Sequence, residues 1–110
     1  MIEDTIERLE RSLRSHPALD EPKRSELLGL LGTLKDEVSR LAVTDQQKAA
    51  SIAGFAAVSA HEATRTDPNP ELRELSLRGL MQSVSEFEES HPTLVRVVNN
   101  ICTTLSNLGI

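Results

Sequence analysis

The sequence predicts an all-α protein, built as helical hairpins or a small helical bundle with about five helical segments and heptad-spaced stripes. Large aliphatic residues recur at alternating intervals of three and four positions, which places them on one face of a helix. No strand-like alternation of apolar and polar residues persists beside turn signals. Breaks containing Pro17, Pro68, Pro70 and Pro92 separate the segments, because a residue that precedes proline avoids helical backbone angles.

The first two segments, predicted over 2–15 and 20–43, carry the most regular aliphatic stripes. Asp20 is expected to cap the second helix, and Pro22 is tolerated in its first turn. The stripe residues are Ile2, Ile6, Leu9 and Leu13 in the first segment and Leu27, Leu31, Leu34, Val38 and Leu41 in the second.

The third segment, predicted over 45–66, is rich in small residues. Thr44 is expected to be its N-cap, with Gln47 completing a capping box. Alanine buries little area, so this helix gains less from burial than the leucine-rich ones. It is therefore expected to be the most mobile element, or one that only a partner orders. The alanines along one side are Ala49, Ala53, Ala56, Ala60 and Ala63.

The last two segments are predicted over 70–90 and 92–108. Asn69 is expected to cap the fourth, with Pro70 at its first helical position. Gly109 suits the left-handed residue that closes the last helix. The stripe residues are Leu77, Leu80, Val84 and Phe87 in the fourth segment and Leu94, Val98, Ile101, Leu105 and Leu108 in the fifth.

Two of the breaks share the sequence Ser-His-Pro, followed one residue later by Leu, at positions 15–19 and 90–94. The flanking heptads do not stay in register at this offset, which favours convergent corner chemistry over a duplicated unit. In both corners the histidine, His16 or His91, is expected to cap the following helix or to bond a free carbonyl of the preceding one.

The fifth segment has no charged side chain from Val97 onward. One interpretation is a core helix with an exposed polar back. The other is a helix covered on one face by this chain and on the other by a second subunit, because charge depletion is typical of an interface core. The second interpretation predicts a homo-oligomer, with a two-fold dimer favoured. Its candidate interface residues are Leu94, Val95, Val98, Ile101, Cys102, Leu105 and Leu108.

The composition excludes several classes of function. The 110 residues, predicted to form one domain over 1–110, carry a net charge of −5, so nothing attracts nucleic acid or anionic lipid. Two phenylalanines without Trp or Tyr cannot build a base-stacking platform. An acidic N-terminus and the lack of about 18 consecutive apolar residues predict a cytoplasmic protein with no membrane partner. Acid-before-base pairs four apart, such as Glu10 with Arg14 and Asp36 with Arg40, are expected on exposed faces.

No catalytic, cofactor-binding or metal-binding residue is predicted. His16, His61 and His91 lack the spacing of a zinc site, and one Glu-x-x-His pair is too few for a di-iron bundle. Cys102 lies on or beside an apolar stripe, where a thiol is usually an inert small hydrophobe. An enzyme would need His61, Glu62 and another acid to meet in one pocket.

The last helix pair carries a family resemblance. The stretch 87–94, Phe-Glu-Glu-Ser-His-Pro-Thr-Leu, and the ending 105–110, Leu-Ser-Asn-Leu-Gly-Ile, are similar to the C-terminal signature of a small bacterial family of unknown function, DUF4404. Leu19-Asp20-Glu21, leading into a leucine-rich helix, is similar to that family's N-terminal half. The resemblance covers about 1–42 and 77–110, and the segment Val43–Ser76 looks like an extension of shorter members. It implies a short, stand-alone helical protein and transfers no activity.

Three classes of function follow, in order of preference. The first is a non-enzymatic interaction or scaffold protein that acts through self-association and partner binding by amphipathic helices. The second is a module that holds a small apolar ligand between helices, with the alanine-rich third helix leaving the space. The third and least favoured is an enzyme, for want of a convergent set of titratable groups.

Overall fold

The computed structural model describes residues 2–17 and 19–108, and it confirms the predicted all-α class with five helices. No strand occurs in those residues. The helices end within a few residues of the predicted limits, except that the fourth stops at Val84 and continues as a 3-10 turn, Ser85–Phe87. The five helices are α1 (Ile2–Arg14), α2 (Glu21–Thr44), α3 (Gln46–Thr64), α4 (Pro70–Val84) and α5 (Pro92–Leu108).

Two of the predicted helix caps are confirmed. The carboxylate of Asp20 accepts a hydrogen bond from the backbone N–H of Lys23 at 3.0 Å, at the start of α2. The side chain of Asn69 accepts one from the N–H of Leu72 at 3.1 Å, and Pro70 is the first residue of α4. Each cap satisfies an N–H group that has no partner within its helix. The predicted closure at Gly109 lies outside the described residues.

The predicted cap of α3 was wrong by one residue. Asp45 is the N-cap, and its carboxylate accepts from the N–H of Lys48 at 3.1 Å. Thr44 is the last residue of α2, and its hydroxyl donates to the carbonyl of Leu41 at 3.2 Å. Asp45 also ends α2, because its own N–H donates to Leu41 at 2.8 Å. One extended residue with an acceptor side chain thus joins two helices without a loop.

The predicted stripes are the core. Every stripe residue of the first, second, fourth and fifth segments is buried except Leu108, which is half-buried, and the buried residues form one cluster. The radius of gyration is 12.9 Å, close to the value of about 13 Å expected for a folded chain of this length. The aliphatic stripes therefore close a core within one chain.

The alanine-rich α3 occupies the centre of the bundle. It contacts α1, α2, α4 and α5, whereas it was expected to be the element most weakly held by its own chain. Its inner face is small, with Ile52 as the one large residue among the buried alanines. Small side chains let several helix backbones approach at once, which explains why a helix that buries little area per residue lies in the middle. Its buried alanines are Ala49, Ala53, Ala56 and Ala60.

The corner between α1 and α2 is closed by Arg24, which the sequence analysis missed. The Arg24 guanidinium donates to the carbonyls of His16 and Leu19, each at 2.7 Å, and to that of Leu13 at 3.2 Å. It also pairs with Glu21 at 2.8 Å. The planar fork of arginine suits this role, because one side chain can donate to several carbonyls of the corner at once.

The second Ser-His-Pro corner is built differently. The N–H of His91 donates to the carbonyl of Phe87 at 2.8 Å. The carbonyl of His91 accepts from the N–H of Val95 at 3.3 Å, so the backbone of His91 begins α5. The imidazole lies edge-on to the Phe87 ring, with 5.4 Å between centroids, and its Nδ1 lies 3.0 Å from Oγ of Ser90.

Two predicted charge pairs are replaced by others. Glu10 contacts Lys35 of α2 at 3.4 Å, and Arg40 pairs with Glu37 at 2.8 Å. Glu10 and Glu37 are buried rather than exposed. Glu10 pairs across to α2, whereas Glu37 pairs within α2 at a spacing of three, so the sequence spacing of four did not determine these partners.

Candidate interaction surface

The predicted interface on α5 lies mostly inside this chain. Leu94, Val98, Ile101, Cys102 and Leu105 are all buried, and α5 contacts α2, α3 and α4. Of the predicted set, only Val95 and Leu108 are half-buried. The asparagines and the serine on the opposite side of α5 are exposed in the single chain, as both interpretations of α5 require. As a contact between copies, the α5 set stays a prediction.

Exposed apolar side chains concentrate instead on α3 and α4. Leu75 is 61 % exposed and Val58 is 49 % exposed, and Phe55 and Leu72 are each about two-fifths exposed. These four residues are called the α3–α4 face below. Single exposed apolar residues are ordinary, but several on one helix pair form a patch.

The register of α3 against α4 makes the face continuous. A Cβ atom placed on Gly79 would lie 2.5 Å from Cε1 of Phe55 and 2.8 Å from its Cδ1, so the ring lies directly on the α4 backbone. The two helices are joined by residues 65–69 and run antiparallel. Because Phe55 lies against Gly79, Val58 comes opposite the turn that holds Leu75. The patch therefore follows the groove between the two helices.

Sequence analysis missed the α3–α4 face, although a signal for it exists. Leu72, Leu75 and Gly79 are spaced three and four apart, which defines a second line on α4 beside the buried stripe that contains Leu77 and Leu80. Only one of the two lines is needed for the core of this chain.

Arg73 lies on one edge of the face, and the charges on the other edge are ordered along α4. Glu71 and Glu74 lie in its first half and Arg78 in its second. Arg78 pairs with Glu74 at 2.7 Å, and both side chains are mostly exposed, so this pair contributes little to folding. On α3, Glu62 pairs with Arg65 at 2.9 Å.

The candidate residues for a metal or catalytic site are spread over the molecule. His16 and His61 line a cleft between α1 and α3, whereas His91 lies at the other corner. Glu62 is engaged by Arg65. Among residues 2–17 and 19–108, no three His, Cys, Asp or Glu side chains are arranged to hold a metal ion.

Cys102 has the environment of an inert thiol. Burial raises the pKa of the Cys102 thiol to about 11, and the S–H group points at the carbonyl of Leu77 with Sγ 3.9 Å away. The thiol therefore stays protonated at neutral pH and lacks the thiolate that nucleophilic chemistry needs.

The fold defines a small five-helix bundle whose described helices include none long and apolar enough to cross a membrane. A family model described as a domain of unknown function, DUF4404, matches residues 27–110, and the chain belongs to this family. The matched range includes 43–76. The interpretation of that segment as an extension of shorter members stays a prediction. Helix α1 and the corner with Arg24 precede the matched region. Comparisons with curated proteins and with solved structures gave no match.

Proposed function

We propose that this protein is a non-enzymatic helical interaction module that self-associates through the α3–α4 face. The observation that carries the proposal is the exposure of Phe55, Val58, Leu72 and Leu75 along one groove. A contiguous apolar patch on a small protein is typical of an interaction site, since covering it removes apolar surface from water.

The order of charges on α4 supports a second copy of the chain as the partner that covers the α3–α4 face. Glu71 and Arg78 are seven residues apart on the same edge of the helix, and Leu75 lies midway between them. A two-fold axis near Leu75 would run α4 antiparallel to its copy. Each Arg78 would then lie opposite Glu71 of the other chain, and the leucines would meet at the centre. A self-complementary patch of this kind is what a two-fold dimer requires.

The direct test is size-exclusion chromatography with light scattering over a dilution series from high to low micromolar concentration. We expect a dimer that dissociates on dilution. Leu75→Glu should be a folded monomer at every concentration. Val43→Glu is the matched control, because Val43 is 86 % exposed on the last turn of α2, outside the face. A wild-type protein that stays monomeric at high micromolar concentration contradicts the proposal.

Two further variants locate the interface. Val95→Asp changes a half-buried member of the predicted α5 set. If it abolishes the dimer while Leu75→Glu does not, association runs through α5 and the α3–α4 face is the wrong surface. Arg78→Glu should weaken the dimer, and adding Glu71→Arg should restore it by reversing the charge order. A failure of this rescue contradicts the antiparallel arrangement.

A further inference from the structure

A cleft between α1 and α3 has the construction of a small-molecule site. Its volume is about 570 Å3, within the range of about 300–1,000 Å3 that ligand pockets span. Its floor is apolar, with Leu9 and Leu13 from α1 and Ala57 and Ala60 from α3. The two alanines leave space that larger side chains at these positions would fill.

The polar lining of the cleft is basic, in contrast to the chain as a whole. Arg8 and His16 line it from α1 and its corner, and His61 and Arg65 line it from the end of α3. No carboxylate lines it among the described residues, although the protein carries a net charge of −5. On the same helices, Asp4 lies one turn before Arg8, and Glu62 pairs with Arg65 at 2.9 Å.

Hydroxyl groups complete the lining. Ser12 lies beside the arginine and histidine of α1, and Thr64 lies beside Arg65 at the end of α3. The Thr64 hydroxyl donates to the carbonyl of Ala60 at 2.7 Å, so the guanidinium groups and the Ser12 hydroxyl are the donors that face the cleft. This donor set suits an oxyanion. Arg8 forms no ion pair within residues 2–17 and 19–108, and its positive charge acts on the carboxylate of Asp4, one turn earlier on α1.

We propose that this cleft binds a small organic anion, an oxyanion head group attached to an apolar body. The head group is held by Arg8 and Arg65, and the body covers Leu9, Leu13 and the two alanines. The basic lining sets this ligand apart from the purely apolar one that the alanine-rich helix suggested. The proposal is independent of self-association, because the cleft and the α3–α4 face involve different residues.

The test is an NMR titration of the full chain, following backbone amide shifts, with three probes. Monomeric n-octyl phosphate carries both parts of the proposed ligand, n-octanol the apolar body, and inorganic phosphate the head group. We expect saturable shifts on α1 and α3 around the cleft with octyl phosphate and much weaker binding of the other two. Equal binding of octanol overturns recognition of the anion, and equal binding of inorganic phosphate overturns the role of the apolar floor.

Matched arginine variants decide whether the cleft itself is responsible. Arg8→Gln should raise the dissociation constant for octyl phosphate about tenfold, which corresponds to the free energy of one hydrogen bond to a charged group. Arg11→Gln removes an exposed arginine from the same helix outside the cleft lining and should leave the constant unchanged. Equal losses in the two variants, shifts confined to the α3–α4 face, or no saturation with any probe each overturn the proposal.

Discussion

Two regions of the bundle pack with different side chains. One is the group of α1, α2 and α5, and the other is the pair α3–α4. Most leucine, isoleucine and valine side chains of the first group are buried, and Leu34, Val38 and Leu105 have no exposed surface. The pair meets through the alanines of α3 and through Gly79. Large side chains at a close contact have no room inside, so Phe55 lies across the glycine at the edge of the groove, 40 % exposed.

Because of this difference, the residues that stabilise the fold are not the residues that supply the exposed apolar surface. Burial of aliphatic area is the main source of folding free energy, and α1, α2 and α5 supply most of it. The pair supplies less per residue, but it leaves apolar side chains outside. We therefore expect substitutions in the first group to affect unfolding, and those on the outside of the pair to affect association.

The largest effect is expected from Leu105→Asp on α5. Leu105 is completely buried in the core cluster, and an unpaired carboxylate there should cost more than about 4 kcal/mol, enough to unfold a small domain. Far-ultraviolet circular dichroism during urea titration measures it. Val43→Asp, at an 86 % exposed position, is the control and should keep the wild-type midpoint. A normal midpoint for Leu105→Asp would show that the α5 stripe is not buried.

The part of the fold that follows from local rules was predictable from the sequence. The stripes at Leu27–Leu41 and Leu94–Leu105 form the core, and Asp20 and Asn69 cap their helices, because periodicity and capping act within a few residues. The Asp45 cap was missed by one position because Thr44 and Asp45 both have acceptor side chains.

Other features depend on neighbours far along the chain. The central place of α3 was not predictable, since hydrophobic periodicity measures the size of a stripe and not how closely backbones approach. The α3–α4 face was missed for a related reason. Helix α4 carries two apolar lines, through Leu75 and through Leu77, and only the packing of α3 and α5 decides which one is covered. The Arg24 fork likewise depends on a corner that brings three carbonyls to one guanidinium.

Gly79, which lies under the Phe55 ring, should respond to alanine in the opposite direction from Gly29, Gly32 and Gly54. At Gly29, Gly32 and Gly54 an added Cβ meets nothing within 4 Å, so alanine should raise the free energy of unfolding by about 0.5–1 kcal/mol through helix propensity. At Gly79 the added methyl displaces the Phe55 ring, so Gly79→Ala should lose that gain and fall below wild type by about 1 kcal/mol.

A double-mutant cycle checks the cause of this reversal. With Phe55→Ala in place nothing large remains over position 79, and Gly79→Ala should then stabilise by about as much as Gly54→Ala does. Urea unfolding of the four proteins gives the coupling. If Gly79→Ala stabilises the wild-type background equally well, the ring moves aside without cost and the close contact does not set the register of α3 against α4.

A gain of similar size is expected from Ser59→Ala on the inner face of α3. Ser59 is fully buried, and within the described part of the chain its hydroxyl has no hydrogen-bond partner. Removing an unsatisfied buried hydroxyl should stabilise the protein by about 1 kcal/mol. Ser76→Ala on α4 is the control with the opposite sign, because its buried hydroxyl donates to the carbonyl of Arg73 at 2.9 Å. If Ser59→Ala lowers the urea midpoint, as Ser76→Ala should, the hydroxyl of Ser59 has a hydrogen-bond partner in solution. The contact of α3 with its neighbours then contains water.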